Sequence, residues 1–259
     1  MNEITKYVPG TFCWEDLYTT DVPEAKTFYK NLFGWNAEEI HIKNEPTYSI
    51  FSIKGKEVCG VSELKEDLKQ QKITPHWKTS ISVENVDETI KIAKVAGGTL
   101  VAPPKEYMNA GRGALIQDPT GAVFSIWEAG KKIGALISDV PGSACWRELI
   151  TSNVDVAGKF YSTVFSWNLK PEKFGEMAYT TFKVGKKSVG GMMEMPKEGF
   201  PPYWLTYWDV KNCEKSLKKA DSLGSKILKS TTIIKGVGHF AVLSDPQGAV
   251  FALLQPETK

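Results

Sequence analysis

Residues Gly10 to Trp35, GTFCWEDLYTTDVPEAKTFYKNLFGW, return as Gly142 to Trp167, GSACWRELITSNVDVAGKFYSTVFSW. At a constant offset of 132, Gly10, Cys13, Trp14, Leu17, Thr19, Val22, Ala25, Phe28, Tyr29, Phe33 and Trp35 each meet an identical partner. A second echo, DPTGAVF at Asp118 to Phe124 and DPQGAVF at Asp245 to Phe251, comes at an offset of 127, so the loops between have shortened. Such a repeat constrains the architecture before any single motif is read. Each half must be a self-similar unit with a core of its own. The expected division is a domain at 1–130, a linker at 131–141 and a second domain at 142–259.

A weaker period lies inside the strong one. Asp21-Val22, Asn85-Val86, Asn153-Val154 and Asn212-Cys213 each place an Asx residue before an apolar one at the head of a helical pattern, with gaps of 64, 68 and 59 residues. Asp or Asn there can accept backbone N–H groups that have no partner in a helix's first turn. Apolar residues then recur three and four apart, as in Ala25, Phe28, Tyr29 and Leu32, or Ala157, Phe160, Tyr161 and Val164. Gly34, Gly97 and Gly224 stand where a helix exits left-handed, with Ser166 in that role in the third copy. A short apolar strand precedes each helix and about three strand-like runs follow it. Among these runs are Tyr48 to Ile53 and Glu57 to Leu64, joined at Lys54-Gly55-Lys56. The reading is strand, helix, then three strands, four times over, with residues 65–74 and 130–141 as linkers.

Composition narrows the partners. A net charge of +2 gives no electrostatic case for nucleic acid or an anionic membrane. Cys13 and Cys145 are repeat equivalents on an expected strand, Cys59 and Cys213 are not, and no CxxC occurs, so disulfides are not expected. MNEITKYVPG lacks the apolar stretch of a signal peptide and no long apolar run follows, which points to a soluble, reduced, cytoplasmic chain. Two domain-sized units in one chain suggest a monomer with an internal pseudo-dimer.

The signatures TTDVPEAKTFYKNLFGW and TSNVDVAGKFYSTVFSW, with the hairpins DPTGAVFSIWE and DPQGAVFALLQ, resemble the βαβββ modules of the vicinal-oxygen-chelate superfamily. That superfamily includes glyoxalase I, extradiol dioxygenases and bleomycin-binding proteins. The resemblance implies an α+β fold: four βαβββ modules forming two glyoxalase-like domains, with curved mixed sheets as incomplete barrels and helices on the outer face. It also implies a small-molecule cavity, in which family enzymes hold a divalent metal on His, Glu or Gln from each module's first and last strands. Counted onto this chain, those positions fall on Trp14, Lys78, Trp146 and Leu205, and on or near Glu63, Ser125, Glu194 and Ala252. Only the two glutamates could ligate a metal, so no cofactor is expected. An all-carboxylate site drawn from Asp16, Glu63, Glu148 and Glu194 is the alternative for a divalent ion.

Strand alternation supplies the expected cavity lining. With Trp14 inward, Phe12 and Asp16 follow it, and Ala144, Trp146 and Glu148 repeat the pattern. Lys78, Ser80 and Ser82 line the first half, against Leu205, Tyr207 and Asp209 in the second. If Asp118 and Gly121 flank a regular turn, Trp127 lies opposite Arg112 on the cavity side, a cation–π pair whose counterparts are Leu254 and His239. A one-residue bulge would invert that assignment. The ligand-binding candidates are therefore Trp14, Asp16, Lys78, Arg112, Trp127, Trp146, Glu148, Glu194 and Tyr207, and the catalytic candidates Glu63, Arg112 and His239. Each has a plainer reading as well: Trp14 and Trp146 suit a core, Glu63 and Glu194 a solvated strand, and His239 a structural role. Two functions remain open, a binder of a small organic molecule without the metal centre, or a metal-dependent lyase, isomerase or oxygenase of the superfamily.

Overall fold

A computed structural model describes residues 2–41, 47–195 and 200–257. The first unit runs β2 (Phe12–Thr19), α1 (Val22–Phe33), β3 (Asn36–Ile40), β4 (Tyr48–Ile53) and β5 (Lys56–Glu63), preceded by β1 (Asn2–Glu3). A short α2 (Glu66–Gln70) leads to β6 (His76–Val83), α3 (Val86–Val95), β7 (Thr99–Glu106), β8 (Gly111–Gln117) and β9 (Val123–Ala129). After β10 (Ile137–Ser138) come β11 (Ala144–Thr151), α4 (Val154–Phe165), β12 (Asn168–Phe174), β13 (Met177–Val184) and β14 (Lys187–Glu194). The last unit is β15 (Tyr203–Asp209), α5 (Cys213–Ser222), β16 (Lys226–Ile234), β17 (Gly238–Ser244) and β18 (Val250–Pro256).

The four longer helices, α1, α3, α4 and α5, are capped as their sequences predict. The side chains of Asp21, Asn85, Asn153 and Asn212 accept from the amides of Glu24, Glu88, Val156 and Lys215. At the exit of α4, Ser166 takes the left-handed conformation (φ 55°) that Gly34 takes after α1 (φ 77°). Lys54 and Gly55 both have positive φ, the conformation a two-residue hairpin turn demands. Neither expected linker is featureless: α2 lies in the first, and β10 in the second pairs with β1 and buries Ile137.

The two units of each half share one sheet. The strand orders are β3-β4-β5-β2-β6-β9-β8-β7 and β12-β13-β14-β11-β15-β18-β17-β16, mixed sheets in which the central antiparallel pair is flanked by parallel neighbours. Helices cover one face of each sheet, and the two covered faces turn toward each other. One core joins α1 to α5 and strands of both sheets through Phe28, Trp35, Trp77, Trp208, Leu217 and Phe251. The other joins α3 to α4 through Ile90, Phe124, Phe160, Tyr161 and Trp204.

The repeated motifs meet across this interface. Tyr29 donates to Asp245 Oδ2 and Tyr161 to Asp118 Oδ2, both at 2.9 Å. Each tyrosine hydroxyl in turn accepts an indole N–H, from Trp77 at 3.1 Å and Trp204 at 3.0 Å. Trp35 donates to the Gly142 carbonyl at 3.0 Å and Trp167 to the Gly10 carbonyl at 2.8 Å. At the centre, Glu15 is fully buried and accepts from its own repeat equivalent, Arg147, at 2.8 Å. The hydroxyls of Thr79 and Thr206, themselves repeat equivalents, complete its shell at 2.9 and 2.8 Å.

Near-symmetry makes the energetics testable. Tyr29→Phe and Tyr161→Phe each orphan a buried indole donor and a carboxylate oxygen, so each is expected to lower unfolding free energy by about 1–3 kcal/mol, and by similar amounts. Arg147→Met leaves the Glu15 carboxylate buried without its cation and should cost about 3–5 kcal/mol. Urea denaturation of the three variants checks both statements.

Candidate functional site

The faces turned away from the helices carry the polar residues of interest. In the first half, β2 presents Trp14, Asp16 and Tyr18. The Trp14 indole donates to Asp16 Oδ1 at 3.0 Å and to the Tyr48 hydroxyl at 2.9 Å, while Tyr48 donates to the same Oδ1 at 2.7 Å. Asp16 Oδ2 faces the Lys78 ammonium at 3.2 Å. Lys78 also donates to the Tyr18 hydroxyl at 3.1 Å, and the Tyr18 ring stacks on His76 at 5.4 Å. Burial alone would push the Lys78 ammonium down, but the Tyr18 and Asp16 oxygens outweigh it and hold it above its ordinary range. Burial, with Lys78 nearby, keeps His76 below its usual value. Toward the rim, Tyr107 packs 5.7 Å from Trp127, whose ring covers Gly111 and Gly113.

Backbone geometry makes room for this cluster. Gly60 lies opposite Asp16 in the β2–β5 ladder, and a Cβ there would come 1.8 Å from the Tyr48 hydroxyl and 2.7 Å from Asp16 Oδ1. Gly191, opposite Glu148, plays the same part under Tyr179, where a Cβ would sit 2.4 Å from the hydroxyl.

The second half repeats the frame with different chemistry. Trp146 donates to the Tyr179 hydroxyl at 2.9 Å and Tyr207 donates to Glu148 Oε2 at 2.8 Å. Leu205 replaces the ammonium of Lys78, and Tyr207, Phe240 and Ala252 form an apolar floor with Leu254 at its edge. Burial pushes the Glu148 carboxyl above its ordinary range, partly offset by hydrogen bonds from Tyr207 and Tyr179 and by the Lys229 charge.

Several expectations from sequence are corrected by register. A β-bulge between Phe12 and Trp14 turns Phe12 to the helix side, where it packs on Trp167 and Trp204. The equivalent bulge between Ala144 and Trp146 does the same to Ala144. In the DPTG hairpin, Asp118 pairs with Ala122 rather than Gly121, because its Oδ1 gathers the amides of Thr120, Gly121 and Ala122. This one-residue shift places Trp127 opposite Gly113 and Arg112 opposite Glu128. Arg112 therefore lies on the helix-covered face, bound to Asp87 at 2.5 and 3.0 Å and to Glu106 at 3.2 Å, and makes no pair with Trp127. By the same shift His239 faces Gln255. It lines a groove of about 430 Å³ with Asp209 and Lys211.

Trp14, Asp16 and Lys78 are thus brought together, with Trp127 on the same face, and Trp146, Glu148 and Tyr207 form the second group. Glu63 and Glu194 join neither. Glu63 is exposed and pairs with Lys69 of α2 at 3.4 Å. Glu194 borders a groove of about 440 Å³ with Glu172 and Lys173, which reaches Tyr179. Sequence reading missed Tyr48 and Tyr179 altogether. Their signal was present: at an offset of 131, Tyr48, Phe51 and Gly60 match Tyr179, Phe182 and Gly191.

The donor set does not fit a divalent ion. The positions counted for ligands hold two indoles, an ammonium, a serine hydroxyl, two aliphatics and the two glutamates, Glu63 and Glu194, which lie apart from both clusters; among the described residues no three His, Cys, Asp or Glu side chains gather. Asp16 spends both oxygens on Trp14, Tyr48 and Lys78. No helix among the described residues is long and apolar enough to cross a membrane, and all four cysteines are free thiols.

Comparisons with known proteins agree on the ancestry. The family described as Glyoxalase/Bleomycin resistance protein/Dioxygenase superfamily matches residues 11–126. The chain is 35% identical over 258 residues to the protein named "Putative glyoxylase CFP32" of Mycobacterium tuberculosis, covering 99% of this chain and 98% of the relative. It is 29% identical over 265 residues to "Anthracycline biosynthesis protein DnrV" of Streptomyces peucetius, covering 97% and 95%. Among solved structures, a Mn(II)-bound glyoxalase from Novosphingobium aromaticivorans shares the fold with a TM-score of 0.65 at 14% identity, over 95% of this chain and 82% of that one. The 2,3-dioxygenase LapB from Pseudomonas sp. KL28 does so at 0.66 and 15%, over 97% and 94%.

Glu148 gives a pH signature. Its folded value lies above its unfolded one, so its contribution to stability is complete below the unfolded value and is lost as pH rises through the folded one. Glu148→Gln should flatten the fall of melting temperature as pH rises above the ordinary carboxylate range, measured by circular dichroism.

Proposed function

This chain belongs to the Glyoxalase/Bleomycin resistance protein/Dioxygenase superfamily, and we propose that it binds small, flat organic molecules on the faces turned away from its helices, without a metal centre. The carrying observation is the Lys78–Asp16 pair at 3.2 Å, set among Trp14, Tyr18 and Tyr48. An ammonium standing at a first-strand ligand position repels a divalent cation and attracts a carbonyl or anionic oxygen. Aromatic walls with a few fixed polar groups are the usual composition of an organic-ligand site. The naming of the Streptomyces relatives for anthracycline biosynthesis supports a planar aromatic ligand bearing carbonyl oxygens.

Tryptophan fluorescence should therefore be quenched saturably by a polycyclic aromatic quinone. Lys78→Met should weaken that binding at least tenfold, about 1.4 kcal/mol. Purified protein dialysed against Mn²⁺, Ni²⁺ and Zn²⁺ should retain less than stoichiometric metal by elemental analysis. Stoichiometric retention with metal-dependent turnover would replace this reading with that of a superfamily metalloenzyme.

A further inference from the structure

We propose that the helix-free face of the second sheet is a binding site for an organic ammonium ion, with Glu148 as its counter-ion. The inference rests on the reading that these faces receive ligands, and adds the charge class of one of them. The duplication supplies the argument. Asp16 and Glu148 occupy the same position beside equivalent tryptophans, over equivalent glycines and beneath equivalent tyrosines. In the first half the acid faces an alkylammonium, Lys78, at 3.2 Å. In the second half that residue has become Leu205, and Glu148 forms no ion pair among the described residues.

Glu148 is only 8% exposed. A carboxylate at that depth without a cation is costly, so the site is electrostatically incomplete by the standard of its own twin. The surroundings suit the missing charge. Tyr207 holds Oε2 at 2.8 Å, Trp146 and Tyr179 are joined at 2.9 Å, and Phe240 lies 6.1 Å from Tyr207. Aromatic faces around a carboxylate are what an ammonium group binds. Phe240 already attracts one: the exposed Lys229 ammonium sits 4.9 Å over its ring. The titratable or charged groups that face Glu148 are Tyr203 and Tyr207 of β15, Tyr179 of β13 and Lys229 of β16. Burial holding Glu148 above its ordinary range agrees with an acid that lacks its partner.

Isothermal titration of the full chain with 2-phenylethylammonium and its neutral analogue 2-phenylethanol tests the proposal. The ammonium should bind at least tenfold more tightly than the alcohol. Glu148→Gln should erase that preference while keeping the alcohol affinity. Leu205→Lys, which rebuilds the first half's internal cation, should abolish ammonium binding. Melting curves confirm that each variant is folded. Equal binding of the two probes, unaffected by Glu148→Gln, would overturn the ammonium assignment and leave ligand binding at this face standing. Failure of both probes to bind wild-type protein, together with failure of the quinone titration, would overturn both readings.

Discussion

Two tyrosine–aspartate hydrogen bonds crossing between the halves, Tyr29 to Asp245 and Tyr161 to Asp118, set the geometry on which the rest depends. Each aspartate also ties its own hairpin loop, accepting from backbone amides with Oδ1 while Oδ2 receives the tyrosine. One carboxylate therefore fixes a loop and docks a helix from the other half. This explains why the two strongest echoes in the sequence, the FY helix and the DPxGAVF hairpin, recur together: they are the two sides of one contact, made twice. The docking directs the helix-covered faces inward, builds two cores from side chains of both halves, and leaves the opposite faces free of helices.

Duplication within one chain also permits what a symmetric dimer cannot have. On a two-fold axis a residue meets its own copy, and two buried carboxylates there would repel. Here position 15 and its equivalent 147 have become Glu and Arg, and they bind each other at 2.8 Å. The same freedom has separated the outer faces. Around a shared frame of tryptophan, tyrosine, acid and glycine, one half keeps an internal ammonium and the other an apolar floor. Divergence at Lys78 and Leu205 changes the charge and polarity of each face without touching the scaffold beneath it.

The closed hydrogen bonding of Asp16 decides the chemistry available to the first face. With Oδ1 accepting from Trp14 and Tyr48 and Oδ2 set against Lys78, the carboxylate is oriented and its charge balanced.

The sequence by itself determined the four-unit architecture, the helix caps, the hairpin at Lys54-Gly55 and the equivalence of the two halves, because caps, turns and periodicity act over a few neighbouring residues. It also placed Trp14, Asp16 and Lys78 together, since alternation along β2 and β6 is regular beyond the bulge. It did not place Phe12, Ala144, Arg112 or His239, because a single inserted residue reverses the face of everything beyond it, and a bulge or a three-residue loop leaves little trace in composition. Only the tertiary structure decided that the helices face inward and that the repeated motifs clasp each other. It alone set Tyr48 and Tyr179 over their glycines and against Trp14 and Trp146, contacts that the repeat at an offset of 131 marks as equivalent but does not place in space.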